Sequence, residues 1–290
     1  MKNNTGPRGL LILSMAIFGT IGLFVRRVPL PSAELALYRA VLAALLIGVI
    51  LLVSGQKIRF SAIKRELLLL FLSGAAMGIN WILLFEAYKH TTVSMATLSY
   101  YFAPVLVTAV SPLLFRERLG GRQLLCFGMS TLGLVLIIGA GGGGGNDLVG
   151  VLFGLGAAVF YATVVLLNKF IKNVSGLHRT FLQFLSAASV LLPYVLLSGG
   201  VTLGSLDGAG WGYLLIVGLF HTGVTYTMYF SSLPSLPGQS VAILSYIDPL
   251  VAVLLSVTVL REPMTLWQAV GGALILGFTL LNEIGGRKKG

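Results

Sequence analysis

The chain has 290 residues, of which 56% are hydrophobic and only 10% are charged. Such an apolar excess cannot be buried inside one water-soluble domain of this length, so the composition excludes a soluble protein and predicts an integral membrane protein. The net charge of +11 does not indicate nucleic-acid binding, because Lys and Arg form short clusters between apolar stretches. The single Cys126 excludes an intramolecular disulfide, and no His or Cys spacing typical of a metal site is present.

Ten apolar segments follow one another along the chain, each close to the roughly 20 residues that cross a bilayer as a helix. Prolines lie where helices are expected to end or begin, with Pro29 and Pro31 in the first hairpin and Pro263 just before the last segment. We number the predicted helices 1 to 10 in chain order, at residues 9–25, 33–53, 66–88, 93–115, 121–139, 148–171, 179–198, 210–230, 238–259 and 265–283.

A glycine-rich stretch separates helices 5 and 6. Six of the residues from Gly139 to Asn146 are glycine, a composition that disfavours a helix and is typical of a flexible linker. We therefore predict a first five-helix unit at residues 1–139, a linker at 140–147 and a second five-helix unit at 148–290.

The two units share a sequence pattern at a constant offset of 145 residues. The matching pairs are Gly78 and Gly223, Phe85 and Phe230, Tyr101 and Tyr246, Pro104 and Pro249, Ser111 and Ser256, Arg116 and Arg261, Glu117 and Glu262, and Gln123 and Gln268. Because each unit has an odd number of helices, the second copy crosses the membrane in the opposite direction, which predicts two inverted-topology repeats. Chance alignment of apolar helices is the alternative.

The Lys and Arg residues are distributed unequally between the two ends of the predicted helices. Four lie at one end, Arg39 lies within helix 2, and the remaining fifteen of the twenty lie at the other end. Positive residues favour the cytoplasmic side, so both termini are predicted to be cytoplasmic in a plasma-membrane protein. The four are Arg26, Arg27, Lys89 and Arg261.

The repeated residues resemble the drug/metabolite transporter superfamily, specifically its EamA-type exporters with ten helices. The likeness is carried by Phe85, Ala87, Pro104, Arg116, Glu117, Phe230, Pro249, Arg261, Glu262 and Arg39. The resemblance implies a central cavity lined by helices 1, 3, 4, 6, 8 and 9, alternating access, and a small metabolite as substrate. Arg116 with Glu117 and Arg261 with Glu262 end helices 4 and 9, and we predict that these pairs stabilise the helix ends rather than bind substrate.

Asp248 is the main candidate for binding a substrate or a proton. It lies near the middle of helix 9, where a carboxylate is costly unless it faces a polar cavity or a partner, and Pro249 after it tends to open the helix. The alternative is a buried Asp that caps the broken turn or pairs with an Arg. His221 and Glu86 are further candidates for proton coupling. A hydrogen-bonded core histidine and an ion pair of Glu86 with Lys89 are the alternatives.

Arg39 and several aromatic residues complete the predicted site. Arg39 is buried within helix 2, where it binds a substrate carboxylate or anchors the bundle through a carboxylate of helix 3 or 9. Aromatic rings beside an acid suit an ammonium group. Packing is the alternative for many rings, and Asn80 orients a ligand or bonds a neighbouring helix. The aromatic candidates are Trp81, Phe85, Tyr100, Tyr101, Tyr161, Tyr226 and Tyr246.

These features together predict a secondary active transporter that exports a small amine or amino-acid-like metabolite, driven by proton exchange or by the substrate's own gradient. A uniporter or channel-like facilitator is the alternative, followed by a membrane-embedded enzyme. The absence of a Walker motif argues against ATP coupling within this chain. No catalytic residue, cofactor, metal or nucleic acid is predicted. The expected partners are a small-molecule substrate and membrane lipids, and the expected state is a monomer or homodimer.

Overall fold

The computed structural model describes residues 5–56, 58, 63–115, 120–139, 145–174, 176–236 and 238–286. Over these residues the regular structure is helical, without strands. The helices, numbered in chain order over the same residues, are α1 (Thr5–Gly19 and Ile21–Val25), α2 (Ser32–Val53), α3 (Leu67–His90), α4 (Val93–Tyr100 and Ala103–Phe115), α5 (Gly121–Gly139), α6 (Gly145–Phe170), α7 (Gly176–Ser198), α8 (Gly208–Leu215, Ile216–Val224 and Thr225–Ser232), α9 (Gly238–Ser245 and Ile247–Thr258) and α10 (Leu266–Gly286).

Most of these helices are long and apolar enough to cross a membrane. Within the described residues, eight helical stretches meet that standard, and α9 and α10 contain two shorter apolar helices. Leucine and valine side chains cover their outward surfaces, because lipid rather than water is the expected surroundings there. Residues more than 80% exposed include Leu52, Val53, Leu113 and Leu197.

Four helices are interrupted near their middle. α4 and α9 break around Tyr101 and Tyr246, three residues before Pro104 and Pro249. A proline lacks the backbone N–H of a regular helix, and its ring disfavours a helical turn on its N-terminal side. α1 breaks at Thr20, and α8 contains a nine-residue π-helix at Ile216–Val224. The two proline-associated breaks therefore lie at the same position of the 145-residue repeat.

The helices pack in pairs around the breaks. α3 packs against α6 and α7, α8 against α1 and α2, α4 against α6, α9 against α1, and α5 against α10. α5 and α10 approach closely at Gly133 and Gly271, where a Cβ on either glycine would collide with the carbonyl oxygen of the other. The interrupted helices α1, α4, α8 and α9 consequently lie together in the bundle.

Helix α6 begins a few residues earlier than predicted, and two other predicted features lie outside the described residues. α5 extends to Gly139 and α6 begins at Gly145, so the start of α6 occupies part of the linker predicted at residues 140–147. A helix of 26 residues packed along α3 offsets the low helix propensity of Gly145. Residues 140–144, and the predicted pair Arg116 and Glu117, lie outside the described residues.

Candidate functional site

Asp248 and Tyr101 meet where α9 and α4 are interrupted. The Tyr101 hydroxyl donates a hydrogen bond of 2.8 Å to Oδ2 of Asp248. Asp248 lies in the first turn of the second part of α9, where unpaired backbone N–H groups and the helix dipole favour a carboxylate. No Lys or Arg of the described chain lies within ion-pair distance of it. The expected alternative of a pair with Arg is therefore wrong for the described residues.

Tyrosine rings line the space beside this hydrogen bond. The ring of Tyr101 lies 5.8 Å from that of Tyr100 and 6.4 Å from that of Tyr246, measured between centroids. The ring of Tyr161 lies 5.3 Å from that of Tyr100. The predicted candidates Tyr161, Tyr100, Tyr101 and Tyr246 thus form a chain of neighbouring rings, and this chain contacts Asp248 through the Tyr101 hydroxyl.

Arg39 lies on the other side of the site and is 4% exposed. Its Nε donates a hydrogen bond of 2.7 Å to Oγ1 of Thr222, and its guanidinium carbon lies 4.2 Å from the ring centroid of Trp81. The ring of Phe85 is 5.6 Å away. Arg39 therefore links α2 to α8 and α3 through a hydroxyl and aromatic rings.

The carboxylate anchor predicted for Arg39 is not found in the described part of the chain. The nearest acid on its own helix, Glu34, accepts hydrogen bonds from Tyr38 and from the backbone N–H and hydroxyl of Thr202. Asp248 bonds Tyr101 instead. The acids that could have paired with Arg39 are thus held by other residues.

The π-helix of α8 holds Thr222 in contact with Arg39. The Thr222 hydroxyl donates to the carbonyl oxygen of Val217, five residues earlier, at 2.8 Å. Since its hydrogen is used in that bond, its oxygen is oriented to accept from Arg39 Nε. π-helical turns of this kind occur frequently at functional sites.

Three tyrosines, Tyr88, Tyr100 and Tyr226, lie within electrostatic range of both Arg39 and Asp248. The positive and the negative group therefore border one tyrosine-lined region. Tyr226 also stacks edge-on against Phe18 at 5.0 Å and Phe184 at 5.3 Å, and the Phe184 ring lies 5.4 Å from Trp81.

The other predicted residues have partners elsewhere. Asn80 donates a 2.6 Å hydrogen bond to the backbone oxygen of Ala157, which joins α3 to α6. Glu86 lies 3.3 Å from Lys89 on its own helix, as the structural alternative predicted. His221 is fully buried, and its Nε2 is 2.7 Å from the Thr20 hydroxyl at the α1 break. The structure brings none of these three residues into contact with Asp248.

Sequence reasoning missed Thr222, Tyr88 and Phe184. Tyr88 could have been found, because Trp81, Phe85 and Tyr88 follow the i, i+4, i+7 spacing of one helix face. Thr222 carried no such signal, since its role depends on the π-helical turn and on a contact with α2. Phe184 lies on α7, outside the helices that the family resemblance assigned to the cavity.

Comparison with known proteins gives consistent matches over nearly the whole chain. The pattern of the EamA-like transporter family matches residues 9–139 and, separately, residues 148–283. The uncharacterized transporter YxxF of Bacillus subtilis is 32% identical over 281 residues, covering 95% of this chain and 89% of that protein. An uncharacterized transporter of Archaeoglobus fulgidus is 28% identical over 272 residues, covering 93% of this chain and 94% of that protein.

A solved structure, titled only as the crystal structure of a protein, has a similar fold. It aligns over 96% of this chain and 97% of its own with a TM-score of 0.65 and 17% sequence identity. At that identity the likeness concerns the arrangement of the helices.

Proposed function

The chain belongs to the EamA-like transporter family, and we propose that it is a secondary active transporter that moves a small amino-acid-like metabolite by alternating access. The family and its relatives support a multi-pass membrane transporter. From the charge distribution we propose an orientation with both termini in the cytoplasm. Export through the plasma membrane is proposed from the resemblance to EamA-type exporters.

Alternating access would follow from two inverted five-helix repeats. Two separate matches to one family pattern support this duplication. The packing supports it as well, because exchanging α1–α5 for α6–α10 turns each main contact into another that is present. The α1–α8 contact becomes α6–α3, α2–α8 becomes α7–α3, α1–α9 becomes α6–α4, and α5–α10 maps onto itself. Such repeats rock against each other around a site near the membrane midplane.

The proposed substrate class rests on one observation: among the described residues, Arg39 and Asp248 each bond only neutral groups, and both lie beside the same tyrosines. A charge inside a membrane protein is costly unless a partner compensates it. A compact zwitterion would compensate both, with its carboxylate at the Arg39 guanidinium and its ammonium group at Asp248 and the surrounding rings. Proton exchange at Asp248 would drive the movement.

Binding of matched ligands to the purified protein tests this proposal. We expect an α-amino acid to raise the unfolding temperature more than the amine without its carboxylate or the acid without its amine, because only the amino acid pairs both charges. In Arg39→Gln the amino acid should raise the unfolding temperature no more than the amine does. In Asp248→Asn it should raise the unfolding temperature no more than the acid does. A larger stabilisation by dicarboxylates or sugar phosphates than by any amino acid or amine would contradict the proposal.

A further inference from the structure

A second group of charged residues lies at one end of the bundle. The carboxylate of Glu262, between α9 and α10, forms an ion pair with Arg26 at the end of α1. It also accepts a hydrogen bond of 2.9 Å from the backbone N–H of Val93 and one from the hydroxyl of Ser256. The neighbouring Arg261 has a φ of 54° and is exposed. Glu262 thus joins α1, α4 and α9.

Arg26 extends the same network to the junction of α3 and α4. Its Nε donates 2.7 Å to the carbonyl oxygen of Tyr88, and its Nη2 donates to that of Thr91. The Thr91 hydroxyl in turn donates 2.8 Å to Oδ1 of Asp147 in α6. One guanidinium and one carboxylate therefore connect the ends of helices from both halves of the chain.

This network lies directly beyond the candidate site. Ser256 follows Asp248 by eight residues, and Val93 precedes Tyr101 by eight, a helical distance of about 12 Å in each case. Tyr88, whose carbonyl Arg26 bonds, also contributes its phenol to the tyrosines between Arg39 and Asp248. We infer that the ion pair of Arg26 with Glu262 is the gate that closes this end of the transport pathway and must break for the site to open there.

Other buried carboxylates do not form an ion pair between helices that border the site. Glu66 accepts hydrogen bonds from the backbone N–H groups of Lys172 and Asn173, and Glu34 accepts one from the backbone N–H of Thr202. Both carboxylates therefore hold loops through neutral groups. Of the ion pairs formed by described residues, those of Glu86 with Lys89 and His90 lie within α3. The pair of Arg26 and Glu262 is the one that spans helices bordering the site. The inference rests on the transporter function but not on the identity of the substrate.

The test measures how fast a thiol placed between the gate and the site reacts. Thr97 is buried on α4 between Val93 and Tyr101, so Thr97→Cys in a Cys126→Ala background provides the reporter. A membrane-impermeant methanethiosulfonate reagent is added to one side of the membrane at a time. From the side of the gate we expect slow reaction, and about tenfold faster reaction when Glu262→Gln or Arg26→Gln leaves one charge without its partner and favours the open form.

Glu86→Gln is the matched control, because it removes a carboxylate at the same end of the bundle whose ion pair lies within one helix. The rate of the thiol reaction should not change in this variant. Each variant is first checked for a single species and cooperative unfolding, and Arg26→Gln carries the test if Glu262→Gln does not fold. If the thiol reacted as slowly in the folded variants as in the protein that keeps both Arg26 and Glu262, the inference would be overturned. The assay contains no substrate, so a failure of the zwitterion proposal would leave its result unaffected.

Discussion

Arg26 and Arg39 are guanidinium groups of the same helical bundle with different partners. Arg26 pairs with the carboxylate of Glu262 and donates to two backbone carbonyls, so its charge is compensated within the protein. Arg39 is more deeply buried, yet it bonds the hydroxyl of Thr222 and faces the ring of Trp81. The first arrangement holds helix ends together, whereas the second leaves a charge that a ligand can compensate.

Asp248 in α9 and Glu262 just after α9 differ in their partners in the same way. Glu262 accepts hydrogen bonds from the Arg26 guanidinium, a backbone N–H and a hydroxyl, while among the described residues Asp248 accepts one side-chain hydrogen bond, from the Tyr101 hydroxyl. Removing either charge of the ion pair between Arg26 and Glu262 is expected to change the conformation of the protein. Removing the charge of Arg39 or Asp248 is expected to change substrate binding and proton coupling.

The largest effect is expected from Asp248→Asn. Asn has nearly the same size but cannot ionise, so the protein should fold while proton-driven accumulation is abolished and the pH dependence of binding is weakened. Transport into proteoliposomes under an imposed pH gradient measures this, with counterflow at equal pH as the control for intact substrate exchange. Gradient-driven uptake at the wild-type rate would remove Asp248 as the coupling residue and leave Glu86 or His221 as the remaining candidates.

A smaller effect is expected at Thr222, which orients Arg39 without contacting the ligand. Thr222→Val keeps the shape but cannot accept from Arg39 Nε, so binding of an α-amino acid should weaken about tenfold, as is typical of a lost hydrogen bond to a charged group. Binding of the corresponding amine should not change, because it does not use Arg39. Calorimetric titration of both ligands provides the comparison.

Thr222→Ser serves as the matched variant, since it keeps the hydroxyl and should restore amino-acid binding to nearly its original strength. Equal weakening for the amino acid and the amine in Thr222→Val would indicate a general structural role for the π-helical turn instead.

The smallest effect is expected from Glu86→Gln. The ion pair with Lys89 is partly exposed and lies within one helix, and such pairs contribute roughly 0.5 kcal/mol or less to the free energy of unfolding. Thermal unfolding and gradient-driven uptake should therefore both remain close to those of the original protein. Loss of uptake in this variant would restore Glu86 as a coupling residue and weaken the contrast between the two regions.

Much of the fold followed from local sequence. Long apolar runs predicted the helices of the described residues to within a few positions at most ends, and the resemblance to EamA-type transporters is confirmed by the family match. Pro249 indicated where α9 opens, because a missing backbone N–H acts on the turn beside it. Asp248 was proposed for its place beside this proline, whereas the matching break of α4 at Tyr101 is seen in the structure.

The partners of the charged residues could not be predicted in the same way. Arg39 bonds a residue 183 positions away, and Arg26 one that is 236 positions away. The sequence identified Arg39 as unusual and counted Arg26 only among the basic residues at one end of the helices, and it gave no means of choosing their partners among the carboxylates and hydroxyls of ten helices. Glu86, Asn80 and His221 were plausible site residues because the sequence did not show which partners they have.

By itself the sequence determined that this protein is a bundle of apolar helices, one of which opens at Pro249, because hydrophobic length and backbone chemistry act over a single helix. Only the tertiary structure decided which charges are compensated and which are left beside the tyrosines. That choice depends on contacts between helices far apart in the chain, including a π-helical turn that brings Thr222 to Arg39 and an α1 end that brings Arg26 to Glu262.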